Sequence, residues 1–519
     1  MTRGDQSTVS DVVPDLLSLA PVPALLARLR NELPAFARAS DGSRGPVRLA
    51  RAPGRLDVMG GIADYTGSLV CEMPLARAAA VALAGRDDRA VQVFSFNLLD
   101  AHRPFTVRMS LDALAAASAE SLGRDFAADP QRRWAAYVIG CLFALHERGH
   151  VDLRDPRVAG IDLALLSDVP AGAGISSSAA IAVATMLALV DHFGLRPDEA
   201  GGGAPGDTAG PAAAARKTID AMALAALCQQ VENRIAGAPC GIMDQATAAL
   251  GTPSELFRLL CQPHQLIDPL PLPPGVRVVG VDTGVYHSVA AGRYARTRAA
   301  AFMGHRLILD RMRQMGRING KELVGDPLDG YLANLPLQDY KDFFRPFLPA
   351  VLSGAQFVAE FGATVDPVSR VEADVDYAVQ TATDHHVHDA ERVRNFVKFI
   401  EKANALTPGT PERSKYLDMA GHLMYASHVS YTRDAVLGAP EADVMVDLVR
   451  KMERTAKFYG ARITGAGQGG TVAVLCPEGD RTDAGLAELM AEYARLTGKT
   501  PTLFAGTSPG AWWTGTAVV

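Results

Sequence analysis

A chain of 519 residues can hold more than one domain and can bury a core without disulfides or structural metal. With 48% hydrophobic and 21% charged residues the balance is that of an ordinary globular protein, and a net charge of -6 gives no nucleic-acid footprint. A mildly acidic surface still leaves room for an anionic substrate held by local basic residues.

In chain order, residues 1–20 read as a loose tail. Pro23–Leu33 has helical periodicity, with Pro23 suited to a first turn. Val47–Ala52 reads as a short strand followed by a Gly-rich turn region to Gly67. Leu69–Leu83 and Ala90–Phe96 read as strands of one sheet, and Gln131–Glu147 as a helix carrying Trp134 and Tyr137. Gly160–Leu166 is a strand running into a loop at Pro170–Ser178, and Ala179–Phe193 an apolar, buried helix. Pro197–Ala214 is mostly Gly, Pro and Ala and has no core-forming residue, so it reads as a surface loop. Lys217–Ile235 is a helix, Val276–Asp282 a strand and Ala299–Met315 a helix. Pro327–Phe347 is mixed. Helices are expected over Ala390–Ala403 and Val444–Tyr459, then strands at Ala461–Ile463 and Thr471–Leu475 around a Gly loop. No repeat of 20–50 residues is present. A boundary between two α+β domains near 250–275 divides the chain into 1–44, 45–270 and 271–519.

Cys71, Cys141, Cys228, Cys240, Cys261 and Cys476 share no C-x-x-C spacing, which argues against zinc and thioredoxin-like sites. Scattered thiols suit a reducing cytoplasm. Met1–Asp15 lacks an apolar signal core, and no run of about 18 apolar residues exists. A cytoplasmic protein that engages no membrane is expected.

Two segments match G-x-G-x-x-G. Gly201–Gly206 lies in the low-complexity stretch, and Gly465–Gly470 precedes a strand-type run, whereas a dinucleotide fingerprint needs a following helix. Gly316–Glu322 has the wrong spacing for a Walker A loop. Pro170–Ala180 is different, because it joins a strand to a long helix. Gly172 and Gly174 let backbone N–H groups approach an anion, and the helix start adds free donors and partial positive charge. Ser176, Ser177 and Ser178 add hydroxyls, one of which can ligate Mg²⁺. A bare serine cap would explain one serine, not two spaced glycines with three. The loop is read as holding the phosphates of ATP.

Glu232 precedes Asp244 by twelve residues. Phosphoryl transfer needs metal ligands, a group that orients or deprotonates the acceptor hydroxyl, and a cation at the transferring phosphate. Glu232, Asp244 and Arg55 can fill these places. Taken singly they could be a solvated helix residue, a cap and a surface cation; the combination carries the weight. Asp384-His-His-Val-His388 invites a metal reading, with His386 and His388 on one face of an extended run. No further ligand stands nearby, so a polar strand leading into the Ala390 helix is preferred.

Ala52-Pro-Gly-Arg55, Pro170–Ala180, Cys240–Gln245 and Thr464–Gly470 resemble, in order, the motifs of the GHMP kinase superfamily. CGIMDQ and the Arg55 motif resemble its galactokinase-like branch. The resemblance runs from about Val47 to the C-terminus. It implies a two-domain α+β fold, with the N-terminal kinase domain and its ATP loop at 45–270, the C-terminal domain at 271–519 and the active site in the cleft between them. It also implies ATP and Mg²⁺ and transfer to an anomeric hydroxyl. On it, Asp244 resembles the catalytic Asp and Arg55 its electrostatic partner, with Ser178 and Glu232 as Mg²⁺ contacts. Gly172, Gly174, Ser176, Ser177, Ser178, Trp134, Tyr137 and Gly467 fall on the ATP side. Asp64, Gly61, Ile62, Tyr294 and Gly241 fall on the sugar side. For Trp134 and Tyr137, helix packing is an equal alternative.

Galactokinases carry Gly-Glu-His-Thr-Asp-Tyr where this chain has Gly60-Gly-Ile-Ala-Asp-Tyr65. Asp64 is kept, so a carboxylate can still accept from ring hydroxyls. Gly61 replaces the Glu that recognises the 6-hydroxymethyl group, and Ile62 replaces the His. Loss of a buried hydrogen-bond partner discriminates far more than loss of a methylene. L-Arabinose has the hydroxyl pattern of D-galactose without that carbon. Arg51–Pro74, Cys261–Pro263, Asp282–Arg296, Tyr331–Pro336 and Ser508–Gly510 resemble the kinase domain of plant L-arabinokinases, whose extra N-terminal glycosyltransferase-like region has no counterpart here. L-Arabinose 1-phosphorylation is expected, with a galactokinase of altered specificity or a weakly active sugar/ATP-binding regulator as alternatives. No oligomeric state is set; a monomer is compatible.

Overall fold

The strand that begins at Val47 does not end at Ala52. The computed structural model, which describes residues 14–36, 45–197, 218–286, 292–318 and 325–519, extends this strand, β1, over Val47–Met59. In place of the expected turn region, β1 bulges against β2 (Leu69–Gly85), with register shifts between Pro53 and Arg55 and between Asp57 and Met59. A bulge inserts one unpaired residue and re-aims its neighbours. Here the bulges straddle Arg55 and Asp57. The turn proper is the single 3₁₀ segment Gly61–Thr66. The 198–217 stretch, with its Gly201–Gly206 match, lies outside the described residues, as do residues 1–13 of the tail and 319–322 of the Gly316–Glu322 text.

The other strands follow as β3 (Ala90–Ser95), β4 (Thr106–Ser110), β5 (Ile161–Ser167), β6 (Glu255–Leu260), β7 (Gln265–Pro271), β8 (Val276–Asp282), β9 (Leu352–Ser353), β10 (Asp376–Tyr377), β11 (Gly460–Ile463), β12 (Thr471–Pro477), β13 (Thr502–Phe504) and β14 (Thr516–Val518). An eight-stranded sheet runs β14-β1-β2-β5-β3-β4, with β6 pairing β2 and β7 pairing β6. Its pairs are antiparallel except β3 with β5. A second, four-stranded sheet runs β11-β12-β8-β13. The chain passes from the first sheet to the second between β7 and β8. Its last strand returns to pair with β1, with Ala50 opposite Thr516, as an edge strand of the first sheet. This is the α+β architecture the sequence predicts.

The main helices are α1 (Val22–Glu32), α2 (Ala136–Glu147), α3 (Ser177–His192), α4 (Ala221–Val231), α5 (Met243–Leu250), α6 (Arg293–Ile318), α7 (Val379–Asn404), α8 (Pro411–Arg433), α9 (Pro440–Lys451) and α10 (Asp480–Thr497). Helix α3 is apolar nearly all round and buried from Ala179 to Val190 apart from Ile181, as such a helix must be. Ala79 on β2, which clusters with Ala180 of the helix, lets it lie close to the sheet. The predicted Lys217–Ile235 helix is shorter. Asp220 caps it through the Ala223 N–H, and after Val231 the helix widens into one π turn, Glu232–Ala236. Such turns shift the side-chain phase by one residue, and this one carries Glu232.

The Asp384–His388 tract is not a strand. It lies inside α7, so His386 and His388 do not share a face. His385 packs edge-on to Tyr431, 4.9 Å between centroids. His386 bonds the Ala382 carbonyl and the Tyr65 hydroxyl. Burial holds His385 down at about 3 and His386 at about 4, so both are neutral near pH 7. No three potential metal ligands cluster among the described residues. Among those residues, no helix is long and apolar enough to cross a membrane.

Candidate active site

A cavity of about 800 Å³ opens between elements of the two sheets. Its walls include Arg55 of β1, Ile62 and Asp64 of the following turn, the 170–178 loop, Glu232, residues 240–244, Tyr294 at the start of α6, and Gly465 and Ala466 of the β11–β12 hairpin. Residues more than 400 positions apart thus share one space.

The loop after β5 has a strained backbone. Gly172 and Gly174 take φ of +79° and +75°, which glycine adopts freely. Ser176, with no such freedom, takes φ +61°. It occupies the cap position of α3, yet its side chain makes no cap bond, and its buried Oγ has no partner. A simple serine cap is therefore not what this residue provides. Ser177 and Ser178 also face the cavity, as do Trp134 and Tyr137. The Trp134 Nε1 is buried without a partner. Gly465 and Gly470 of the 464–470 loop pack against the 173–174 backbone, and Thr471, the first residue of β12, donates its hydroxyl to the Ala173 carbonyl at 2.8 Å.

Arg55 is 3% exposed at its side chain and sits at the junction of these parts. Its Nε donates to Asp244 Oδ1 at 2.9 Å, and its Nη2 lies 2.7 Å from the same oxygen. Its Nη1 donates to the Gly174 carbonyl at 2.8 Å. Behind it stands Glu72, fully buried, 3.1 Å from Nε. Burial works against the Arg55 charge, but Asp244, Glu72 and Asp57 outweigh it and raise its pKa. The guanidinium is thus permanently charged and fixed in orientation. Asp244 is held by one oxygen while the residue stays open to the cavity.

Glu232 is a carboxylate short of partners, whereas Asp64 Oδ1 accepts from the Tyr65 N–H at 2.6 Å. The Ser178 hydroxyl donates to Glu232 Oε2 at 3.3 Å, while Oε1 is buried and unpaired. Burial pushes Glu232 up to about 7, with Asp244 adding to it. Asp64 is pushed up to about 7 by burial and then by Asp244, against Arg298. An unpaired buried carboxylate oxygen beside a hydroxyl is an oxygen donor set suited to Mg²⁺. Gly241 lies against Asp64, and an added Cβ there would overlap that carboxylate. We therefore expect Gly241→Ala to destabilise the fold by about 1–3 kcal/mol through overpacking, read as a lower thermal midpoint. An unchanged midpoint would mean that the Asp64 side chain is free to move.

Two residues expected on the cavity wall lie behind it. Gly467 packs on the Leu437 carbonyl, and its neighbours Gly465 and Ala466 take the wall position. Gly61 is no empty slot. At φ +47° its missing side chain leaves room for the Tyr431 hydroxyl, which an added Cβ would overlap. Ile62 does face the cavity.

The sequence reading missed Glu72, Asp57, Arg462 and Tyr431. Charges within the apolar runs Leu56–Met59 and Leu69–Leu75 were the available signal for the first two, since such residues are rarely buried without a partner. Nothing local marks Tyr431 or Arg462.

Two family models match the chain: the GHMP kinases N terminal domain over residues 136–252 and the GHMP kinases C terminal model over 413–495. L-Arabinokinase of Arabidopsis thaliana is 32% identical over 98% of this chain, which spans only 51% of that protein. Galactokinase of Chloroflexus aggregans is 30% identical over 88% of this chain and 90% of that one. The crystal structure of Lactococcus lactis galactokinase complexed with galactose superposes with a TM-score of 0.64, covering 95% of this chain and 99% of the other at 20% identity, a likeness of fold.

Proposed function

Since the chain belongs to the GHMP kinase family, we propose that it is an ATP-dependent sugar 1-kinase that converts L-arabinose to L-arabinose 1-phosphate. The observation that carries the reading is Arg55, which bridges Asp244 and the Gly174 carbonyl of the anion loop at the cavity wall. A carboxylate placed for a hydroxyl and a loop placed for phosphates meet at one fixed cation, as phosphoryl transfer requires.

In this reading, backbone N–H groups of the 170–178 loop and the start of α3 bind the ATP phosphates. Glu232 and Ser178 would hold Mg²⁺, which when bound neutralises charge on the transferring phosphate. Asp64 and Tyr294 hold the sugar, with Asp64 accepting from ring hydroxyls. Asp244 accepts the hydrogen bond of the anomeric hydroxyl and takes its proton as the sugar oxygen bonds the γ-phosphorus and the bond from that phosphorus to the bridging oxygen breaks, releasing ADP. Arg55 orients Asp244 through its Nε and Nη2 and faces the developing charge. Trp134 and Tyr137 are assigned to the nucleotide end.

Two observations favour a pentose. The L-arabinokinase relative covers nearly all of this chain. The place of a side chain at 61 is taken by Tyr431, so no carboxylate reaches out from that position. The galactokinase relative, matched over most of both chains, keeps D-galactose as the second reading. A coupled ADP-release assay across L-arabinose, D-galactose, fucose and galacturonate separates them. L-Arabinose should give the highest kcat/KM; faster galactose turnover would overturn the pentose reading, and no turnover of any sugar would favour a binding regulator.

The raised carboxylates give a pH prediction. Folded Glu232 and Asp64 bind protons up to about pH 7, whereas their ordinary values are 4.5 and 3.8. The folded state thus binds more protons between about pH 4 and 7. Stability that these groups contribute below that window is lost as pH rises through it. Mg²⁺ with an ATP analogue needs Glu232 ionised, so its thermal upshift should be larger at pH 8 than at pH 6. An equal or smaller upshift at pH 8 would contradict the metal assignment.

A further inference from the structure

We propose that Tyr431 and Asp57, neither of which lines the cavity, are positioning residues that lock the Gly60–Asp64 turn to the 464–470 loop as one unit; the proposal rests on the sugar-kinase reading above. The Tyr431 hydroxyl accepts from the Ile62 N–H at 2.9 Å and donates to the Gly465 carbonyl at 3.0 Å. The Asp57 carboxylate repeats the arrangement. Its Oδ1 accepts from the Gly61 N–H at 3.0 Å and its Oδ2 from the Gly465 N–H at 3.1 Å. The Asp57 N–H in turn donates to the Thr464 hydroxyl at 2.8 Å.

Arg462 closes the cluster. Its Nη1 donates to Asp57 Oδ1 at 2.7 Å, and its guanidinium lies 5.0 Å from the Tyr431 ring centroid. Both members of the ion pair are fully buried. Tyr431 and Asp57 act directly on Gly61, Ile62, Thr464 and Gly465, Arg462 acts on them through Asp57 and Tyr431, and Ile62 and Gly465 face the cavity. The turn that carries Asp64 and the loop that backs the phosphate cradle cannot then move independently. Buried, mutually bonded polar groups of this kind hold one arrangement over its alternatives. The arrangement also requires glycine at 61, because any Cβ would take the place of the Tyr431 hydroxyl.

The test uses Tyr431→Phe in the full chain, which keeps the ring and removes both hydroxyl bonds, and Thr464→Val as a second, near-isosteric variant should the first fail to fold. Hydrogen–deuterium exchange on the ligand-free protein should rise in residues 60–66 and 464–470 together, with Val276–Asp282 unchanged. A rise in one segment alone, or in neither, overturns the proposal. With whichever sugar the wild type turns over fastest, kcat should fall about tenfold or more, because small misplacements of reacting groups are costly, while both KM values move less. Unchanged kcat, or a rise in KM alone, also overturns it. Gly61→Ala should cost less activity in the Tyr431→Phe background than in the wild type, and equal cost in both counts against it. Failure of the sugar-kinase reading would appear separately, as no ADP release by the wild type with any sugar, and the exchange arm still decides.

Discussion

Asp244→Asn is expected to lower kcat about 100- to 10,000-fold, the range that positioned acid–base groups contribute, while the nucleotide still binds. The substitution keeps the size of the side chain and one oxygen, so Arg55 retains an acceptor. It removes the charge that draws a proton from the acceptor hydroxyl. The phosphate loop, Ser178 and Glu232 are untouched, so thermal shift by Mg²⁺ with an ATP analogue should persist. Single-turnover ADP release and nucleotide-induced thermal shift, measured on the same preparation, check both halves. An Asp244→Asn enzyme near wild-type kcat would remove Asp244 from its assigned place.

Arg55→Met should be the most damaging single change to the site, because it fails in stability as well as in rate. The guanidinium is buried among Asp244, Glu72 and Asp57. Burial already pushes Glu72 well above the usual carboxylate range, with Asp57 adding to it and Arg55 opposing. Removing one partner of a buried ion pair costs about 3–5 kcal/mol, because the other charge is left uncompensated. The folded fraction that remains should lose about 100- to 1,000-fold in kcat, as for removal of one preorganised donor at a developing charge. Arg55→Lys separates the two effects. It restores a positive charge but not the fork that bonds Asp244 and the Gly174 carbonyl together, so stability should recover more than kcat. Urea unfolding alongside ADP release reads this out; parallel recovery of both would argue that charge alone matters at this position.

These two effects bear on what could be read from the sequence. The 170–178 loop was legible because its backbone conformations are written as glycines at 172 and 174, and because strand and helix periods flank it. The strain at Ser176 was not, since serine carries no signal for a left-handed φ. Arg55, Asp64, Glu232 and Asp244 were found as motif residues, and the fold brings them to one cavity. The 53–67 segment was misjudged because Pro53 and Gly54 look like a turn, whereas a paired strand can absorb them as a bulge. The His tract was misjudged because three histidines in four residues hide the helical period that surrounds them; α7 shows it once Val379–Asn404 is seen whole. Tyr431 and Arg462 reach Gly61 from about 370 and 400 residues away along the chain. No local pattern could place them there, so Gly61 looked like a vacancy rather than a site another side chain had taken.

The most direct test of the account is the position of the phosphate on the product. The wild-type chain, ATP, Mg²⁺ and L-arabinose should yield a single sugar phosphate. Its phosphorus–proton correlation in a two-dimensional NMR spectrum should run to the anomeric hydrogen, with one ADP released per phosphate formed. A phosphate correlated to any other ring hydrogen, or ADP released with no sugar phosphate formed, would contradict it.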